Sequence, residues 1–366
     1  MASARTPVRN RRLRRLGAVA AAAPTVLAAV AIPAAASADA AAQRTCRDVT
    51  IPVSTGQLDA SVHGVICAPR GPGNGAVQVL LHGGTYNSSY WSNLDTGGGE
   101  SYVSRAVAAG YATLALDAIG SGASSHPAST LVTGAAQAEA VHQAIARARA
   151  GQLDGRRYRQ AALVGHSLGS LVAVMTASRY PRDADAVVLT AYSHTIDPAQ
   201  VQHSLANMHP AAEEGRPLDP GWLTTRPGVR PALFHSPSDA DPVITGAEET
   251  HKDVGSATEL ADAATVGTAD AATRAITAPV LEANGQQDSW SCAAVDCSSS
   301  GAFKAAEQRN FSRPLSAYIQ PRAGHALTLA ASRRAALDAI TGWLGIALHH
   351  RAPQATDTAG RIAGEP

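Results

Sequence analysis

The sequence predicts an α/β protein built on a mostly parallel sheet with both faces covered. Two observations carry that expectation. Short apolar runs alternate with stretches of helical period, the pattern of buried parallel strands joined by helices. Two of those runs end in glycine-rich turns, His82-Gly83-Gly84 and Gly165-His166-Ser167-Leu168-Gly169. Composition agrees: of 366 residues, 45% are hydrophobic and 16% charged, enough apolar material for a sizeable core.

The elements follow in order. Asp48–Val53 and Ala60–Cys67 straddle Ser54-Thr55-Gly56 and read as an antiparallel start. Ala76–Leu81 is a compact apolar strand. The amphipathic stretch Tyr102–Ala109 leads to Gly110, and the strand Ala112–Leu116 ends at Asp117. Thr133–Ala150 has helical period and stops at Gly151. Gln160–Val164 is the next strand, Leu168–Ser178 the next helix, and Ala184–Thr190 another strand. The rhythm then lapses from about Ser193 to Thr277, where Pro, polar and charged residues are richer and only Pro231–Phe234 forms an apolar patch. It resumes at Pro279–Ala283, Leu315–Ile319 and a helical run from Leu327 to Leu344. The expected organisation is a core of 46–192 and 278–347, a cap insertion at 193–277 lying over the sheet, and a polar, disordered tail at 348–366.

The N-terminus has the three parts of a secretory signal peptide. A basic region ends at Arg15, an alanine-rich apolar stretch runs from about Leu16 to Ile32, and Ala36-Ser37-Ala38 offers a cleavage site after Ala38. The stretch is short and broken by Pro24 and Pro33, which argues against a membrane anchor. The expected product is secreted, with a linker at 39–45; Arg11-Arg12 and Arg14-Arg15 leave the export route open. The full chain has a net charge of +1, but residues 1–38 hold six arginines and no acid. Without them 24 bases face 29 acids, a net −5. No basic stripe remains, which argues against nucleic-acid binding.

Four cysteines in an exported chain favour two disulfides. Of three connectivities, Cys46–Cys67 and Cys292–Cys297 each bracket a short loop and are the expected pairs. No histidine lies at finger-like spacing from either pair, which argues against a cysteine-bound zinc.

Ser167 is the candidate nucleophile. A serine hydroxyl needs a base beside it and a sharp strand-to-helix turn to hold it clear of the sheet. The residues two before and two after must be very small because the backbones crowd there; Gly165 and Gly169 meet that need. An oxyanion site needs two backbone N–H donors. Leu168, at the helix N-terminus, and Gly84, in the loop after Ala76–Leu81, are the candidates. Among 13 histidines, His325 follows the last strand and precedes the last helix, which makes it the candidate base. Asp288, in Asn284-Gly285-Gln286-Gln287-Asp288, is the candidate acid, with Asp239, Asp241 and Asp117 as rivals. His82 and His166 adjoin the turns and are expected to orient loops. Tyr86, Trp91 and Trp290 are candidate pocket residues, with core packing as the alternative for each.

The order Ser167, Asp288, His325 resembles the α/β-hydrolase family, in which nucleophile, acid and base follow one another along the chain. Leu81-His82-Gly83-Gly84, Asp117-Ala118-Ile119-Gly120-Ser121-Gly122, Gly165–Gly169, Gly285–Asp288 and Gly324-His325 carry the resemblance, which spans about 46 to 347. It implies a mostly parallel eight-stranded sheet flanked by helices, with a cap insertion. A serine nucleophile departs from the haloalkane dehalogenase and epoxide hydrolase branches, which use aspartate. Thr85 departs from the three-glycine run of one esterase branch. The expected activity is hydrolysis of a small-molecule carboxylic ester through a Ser-His-Asp triad, without metal or organic cofactor. The same triad also serves amides, lactones, thioesters and carbon–carbon bonds. A non-catalytic exported binding protein would be expected to break the triad, and all three positions are filled.

Overall fold

The computed structural model describes residues 44–97 and 99–349. The expected signal peptide at 1–38, nearly all of the 39–45 linker and the tail beyond 349 lie outside the described residues.

An eight-stranded sheet forms the centre, in the order β1-β2-β4-β3-β5-β6-β10-β11. β1 (Arg44–Ser54) and β2 (Asp59–Pro69) form an antiparallel hairpin whose turn uses Gly56 at φ +83°. In β1, buried Ile51 and Val53 alternate with exposed Thr50 and Pro52, as expected of an edge strand with one covered face. β2 pairs antiparallel with β4 (Ala112–Leu116), and every later pairing is parallel. β3 (Ala76–Leu81), β4 and β6 (Ala186–Thr190) are buried along their whole length, which is why they read as unbroken apolar runs.

Two cores follow from the strand pleat. Val77, Val79 and Leu81 point into one, with Val141, Ala144 and Ile145 of α2 (Gly134–Ala150) and Val172 of α3 (Leu168–Arg179). Ala76 and Leu80 point into the other, with Tyr102 and Val103 of α1 (Tyr102–Ala108) and Leu337 and Ile340 of α10 (Arg333–His349). Gln78, on that same face, accepts from the Tyr102 hydroxyl at 2.8 Å. α2 starts where Thr133 accepts from the Ala136 N–H at 3.0 Å and stops at Gly151, φ +76°.

Residues between β6 and β10 (Val280–Gly285) are more structured than their composition suggests. They hold α4 (Pro198–Ala206), α5 (Arg230–Phe234), α6 (Pro242–Ala247), α7 (Ala257–Val266) and α8 (Asp270–Ala275). They also hold a small antiparallel sheet of β7 (Met208–Pro210), β8 (Trp222–Thr225) and β9 (Gly255–Ser256). Elements of two to ten residues are too short to imprint a hydrophobic period. The helical run expected from Leu327 to Leu344 is also interrupted. A 3₁₀ turn at Leu327–Leu329 is separated from α10 by Ala330–Ser332, where the Ser332 N–H and hydroxyl both bond Asp239. β11 (Leu315–Gln320) is the far edge of the sheet, and α9 (Ser300–Glu307) precedes it.

Both cysteine pairs form the expected disulfides. Cys46–Cys67 crosses the hairpin between residues directly opposite in register, and Cys292–Cys297 closes a five-residue span just after Asp288.

One of the two closest backbone approaches lies between α3 and β3. A Cβ on Gly169 would sit 2.1 Å from the Leu81 carbonyl oxygen. Gly169→Ala is therefore expected to cost about 3 kcal/mol in urea unfolding. Gly342→Ala, on the exposed side of α10 with nothing within 4 Å, is expected to stabilise by about 0.5–1 kcal/mol.

Candidate functional site

The site is assembled at the carboxyl ends of the parallel strands. β5 (Gln160–His166) runs straight into α3, and the whole reversal falls on one residue. Ser167 takes φ +51°, ψ −117°, a region side chains other than glycine rarely adopt. The turn is held from three sides. The Ser167 N–H donates to the Thr190 carbonyl at 2.9 Å, the Ser170 N–H closes on the Ser167 carbonyl at 2.8 Å, and the Ser170 hydroxyl bonds the Thr190 carbonyl at 2.8 Å. A Cβ on Gly165 would meet the Gly169 carbonyl at 2.5 Å, so this glycine is required by contact.

Three candidates chosen from sequence meet. His325 Nε2 lies 2.8 Å from the Ser167 hydroxyl oxygen. His325 Nδ1 lies 3.0 Å from both carboxylate oxygens of Asp288. The separation of 37 residues is bridged because β10 and β11 are parallel neighbours, so the loops at their ends lie side by side. Those loops interlock: a Cβ on Gly285 would sit 2.1 Å from the Gly324 carbonyl, and the Gln287 N–H bonds the Ala323 carbonyl at 2.8 Å.

Asp288 is 1% exposed. Burial alone would raise its pKa, but the charge and hydrogen bond of His325, with the N–H groups of Trp290 and Ser291, outweigh burial and hold it low. Asp288 therefore stays a carboxylate that orients Nδ1–H and leaves Nε2 toward Ser167. The rivals are engaged elsewhere. Asp117 bonds His63 and the N–H groups of Ser88 and Ala123; Asp241 caps α6 and pairs with Arg333 at 2.8 Å; Asp239 holds Ser332.

Gly84 and Leu168 both border the cavity that opens at Ser167, and Leu168 begins α3. Their N–H groups are the only oxyanion donors the sequence nominated, at the positive end of a helix dipole in the case of Leu168. Thr85 adopts φ +61°, and its hydroxyl and carbonyl accept from the buried Arg230 guanidinium at 2.8 and 3.2 Å. Arg230 in turn pairs with Glu248 at 2.7 Å and lies over the Tyr86 ring. Burial opposes the Glu248 charge, yet His235 and Arg230 bring its pKa down to about 2.

The two site-flanking histidines are neutral holders of loops. His82 Nε2 accepts from the Ala118 N–H at 3.0 Å, and Nδ1 donates to the Gly83 carbonyl at 2.8 Å. His166 is wholly buried and stacked on Tyr90; burial first, then the His325 charge, pushes its pKa well below the usual value.

A cavity of about 310 Å³ meets Ser167 and His325. Its wall is mostly apolar: Leu171, Ile196, Leu223, Leu233, Phe234 and Leu260. Trp290 borders it, as expected, and stacks on His325 at 5.4 Å. Tyr86 and Trp91 do not. They are 1% and 0% exposed in the core beneath the loop, and the Tyr86 hydroxyl bonds Glu248 at 2.9 Å. Arg230 and Phe234 pack on the Tyr86 ring, and Trp91 packs edge-on against Tyr90 and Tyr102. Most of the wall comes from residues 191–264, nearly all within the expected cap insertion, where the sequence nominated no individual pocket residue. The one available signal was the apolar patch at Pro231–Phe234. The Phe234 carbonyl accepts from the Ala326 N–H at 2.9 Å, which ties that patch to the His325 loop.

The alpha/beta hydrolase family model matches residues 78–339, most of the chain. The chain belongs to the alpha/beta hydrolase family. Its fold is shared with solved structures of low sequence identity. An esterase from Thermogutta terrifontis superposes with a TM-score of 0.59 at 16% identity, over 82% of this chain and 99% of that one. A carboxylesterase from Bacillus subtilis gives 0.53 at 17%, over 85% and 96%. A putative non-heme bromoperoxidase from Mycobacterium tuberculosis gives 0.57 at 18%, over 79% and 97%. At these identities the likeness is one of fold, and the fold hosts many reactions. No curated protein matches the chain. Family membership implies a small-molecule substrate, and no helix among the described residues is long and apolar enough to cross a membrane.

One buried acid lies behind the Gly83-Gly84 loop. Glu259 borders a small cavity with Gly84, Leu168 and Gln137; burial raises its pKa to about 8 against weaker lowering by Ser256 and Gln137. Between about pH 4.5 and 8 the folded chain keeps a proton that the unfolded chain releases. Stability is therefore lost as pH rises through that window, by about 5 kcal/mol in all, and levels off above it. Glu259→Gln is expected to remove this slope. Urea midpoints of the two proteins should agree near pH 4.5 and separate in favour of glutamine by pH 8.

Proposed function

We propose that the chain is a secreted serine hydrolase that cleaves carboxylic esters through an acyl-enzyme on Ser167. One observation carries the reading: Ser167, His325 and Asp288 form an unbroken hydrogen-bonded relay whose serine end opens into an apolar cavity. Export is supported by the leader at 1–38 and by two disulfides, which persist in oxidising compartments.

In the proposed reaction the Ser167 oxygen attacks the ester carbonyl while His325 Nε2 takes its proton. Asp288 stabilises the imidazolium so formed. The tetrahedral oxyanion is held by the N–H groups of Gly84 and Leu168. Collapse breaks the bond to the alcohol, which leaves with the proton from His325. Water then gives a proton to His325, attacks the acyl-enzyme, and releases the acid as Ser167 regains its proton. Every group this scheme uses belongs to the chain, so it calls on no cofactor.

The apolar wall favours a hydrophobic acyl group of modest size. A series of p-nitrophenyl esters is expected to peak at acyl chains of about four to eight carbons. Ser167→Ala should lower kcat about 10⁴-fold or more with an unchanged circular dichroism spectrum. Retained ester turnover in that variant, or amide cleavage without ester cleavage in the native chain, would contradict the assignment.

A further inference from the structure

Three ionisable side chains outside the Ser167 relay converge beside β10. They are His194, Glu282 and Glu307, and one ligand atom from each lies within 4.8 Å of the others. Glu282 sits mid-strand in β10, opposite Leu189 of β6 and Ala317 of β11, and is 0% exposed. Neither of its carboxylate oxygens has a hydrogen-bond partner. Glu307, 2% exposed, comes from the end of α9.

An unpaired carboxylate in such a place costs several kcal/mol unless something compensates it. A proton would remove the charge; a cation shared with His194 and Glu307 would remove it and give the oxygens a partner as well. The hydrogen bonds around His194 hold its ring toward the same place. The Thr273 hydroxyl gives its single proton to the Asn310 carbonyl at 2.8 Å, so at 2.9 Å it accepts from His194 Nε2–H. His194 Nδ1 and Glu307 Oε2 lie 2.5 Å apart, a hydrogen bond that holds one proton, and an ion bound there takes the place of that proton on Nδ1. The outer hydrogen bonds are those of a held ligand set. His194 is oriented through Nε2–H, and Glu307 accepts from Asn310 Nδ2 at 3.2 Å and the His194 N–H at 3.3 Å.

We propose that His194, Glu282 and Glu307 bind one zinc-type divalent cation. One imidazole and two carboxylates are a zinc-like donor set, and Ca²⁺ would ask for six or more oxygens. A dication neutralises both buried carboxylates at once and gives the Glu282 oxygens a partner. Tetrahedral ligands at about 2.1 Å stand about 3.4 Å apart, so on loading His194 Nδ1 and Glu307 Oε2, at 2.5 Å, separate, while the widest pair, within 4.8 Å, draws in by at most about 1.4 Å. The ion links three separate segments: the strand β10, the end of α9, and residues 192–196, of which Tyr192, Ser193 and Ile196 border the cavity. Its role is to fix that wall, and its binding does not depend on the hydrolase reading.

The test uses the full secreted chain, stripped with EDTA and reloaded with Zn²⁺ or Ca²⁺, with metal content read by mass spectrometry and Tm by calorimetry. Zn²⁺ is expected to load at about one ion per chain and raise Tm by about 5 °C, while Ca²⁺ does neither. Glu282→Gln, and separately Glu307→Gln, should fold yet load little Zn²⁺ and show no Zn²⁺-dependent Tm. A native chain that takes up no Zn²⁺ with Tm unmoved would overturn the proposal, leaving Glu282 protonated. Full loading of both glutamine variants, or a Ca²⁺ response equal to that of Zn²⁺, would overturn it as well.

Discussion

The whole site hangs on how tightly α3 is pressed against the sheet where β5 turns into it. Gly165 and Gly169 have no side chains because carbonyls and backbone atoms occupy those positions, those of Leu81 and His82 among them. With both neighbours reduced to backbone, Ser167 takes the entire reversal at φ +51° and is thrust away from the sheet. That strain is of the order of 1–3 kcal/mol, and it persists only because β3, β5, β6 and α3 over-determine the turn. The same contact brings the β3 loop, with Gly83 and Gly84, against the start of α3. Close packing there sets the distance between the serine and its candidate oxyanion donors.

Parallel order supplies the second half. β6, β10 and β11 lie side by side, so every loop at their carboxyl ends faces Ser167. Gly285 and Gly324 repeat, between the Asp288 and His325 loops, the crowding seen at Gly165 and Gly169. Residues far apart in the chain are thereby fixed to hydrogen-bond distance without flexible reach. Disulfide Cys292–Cys297 closes the segment that immediately follows Asp288, which restricts the loop on its solvent side.

How legible this was depended on length of element and on what each residue answers to. Ser167, His325 and Asp288 could be nominated because strands long enough to stand out as apolar runs lead to their loops, and because glycines mark the crowded positions. Trp290 was nominated as a cavity residue by its nearness to Asp288, and it borders the cavity. Tyr86 and Trp91 were not decidable: an aromatic after a site loop packs above or below it according to what closes over it. For Tyr86 the closing groups are Arg230 and Phe234, some 140 residues further on. The region from 191 to 279 was the least legible, since its strands are two to four residues long and its helices ten or fewer. Its buried ion pair of Arg230 with Glu248 looks like two surface residues in a sequence and becomes readable only when the partners are in place.

The central claim is that Ser167 is the chain's single activated serine. Labelling the native chain with a fluorophosphonate, digesting it with trypsin and weighing the peptides tests this directly. The expected result is one adduct, on the peptide 160–179 between Arg159 and Arg179, at Ser167. No adduct, or an adduct on another serine, would contradict it.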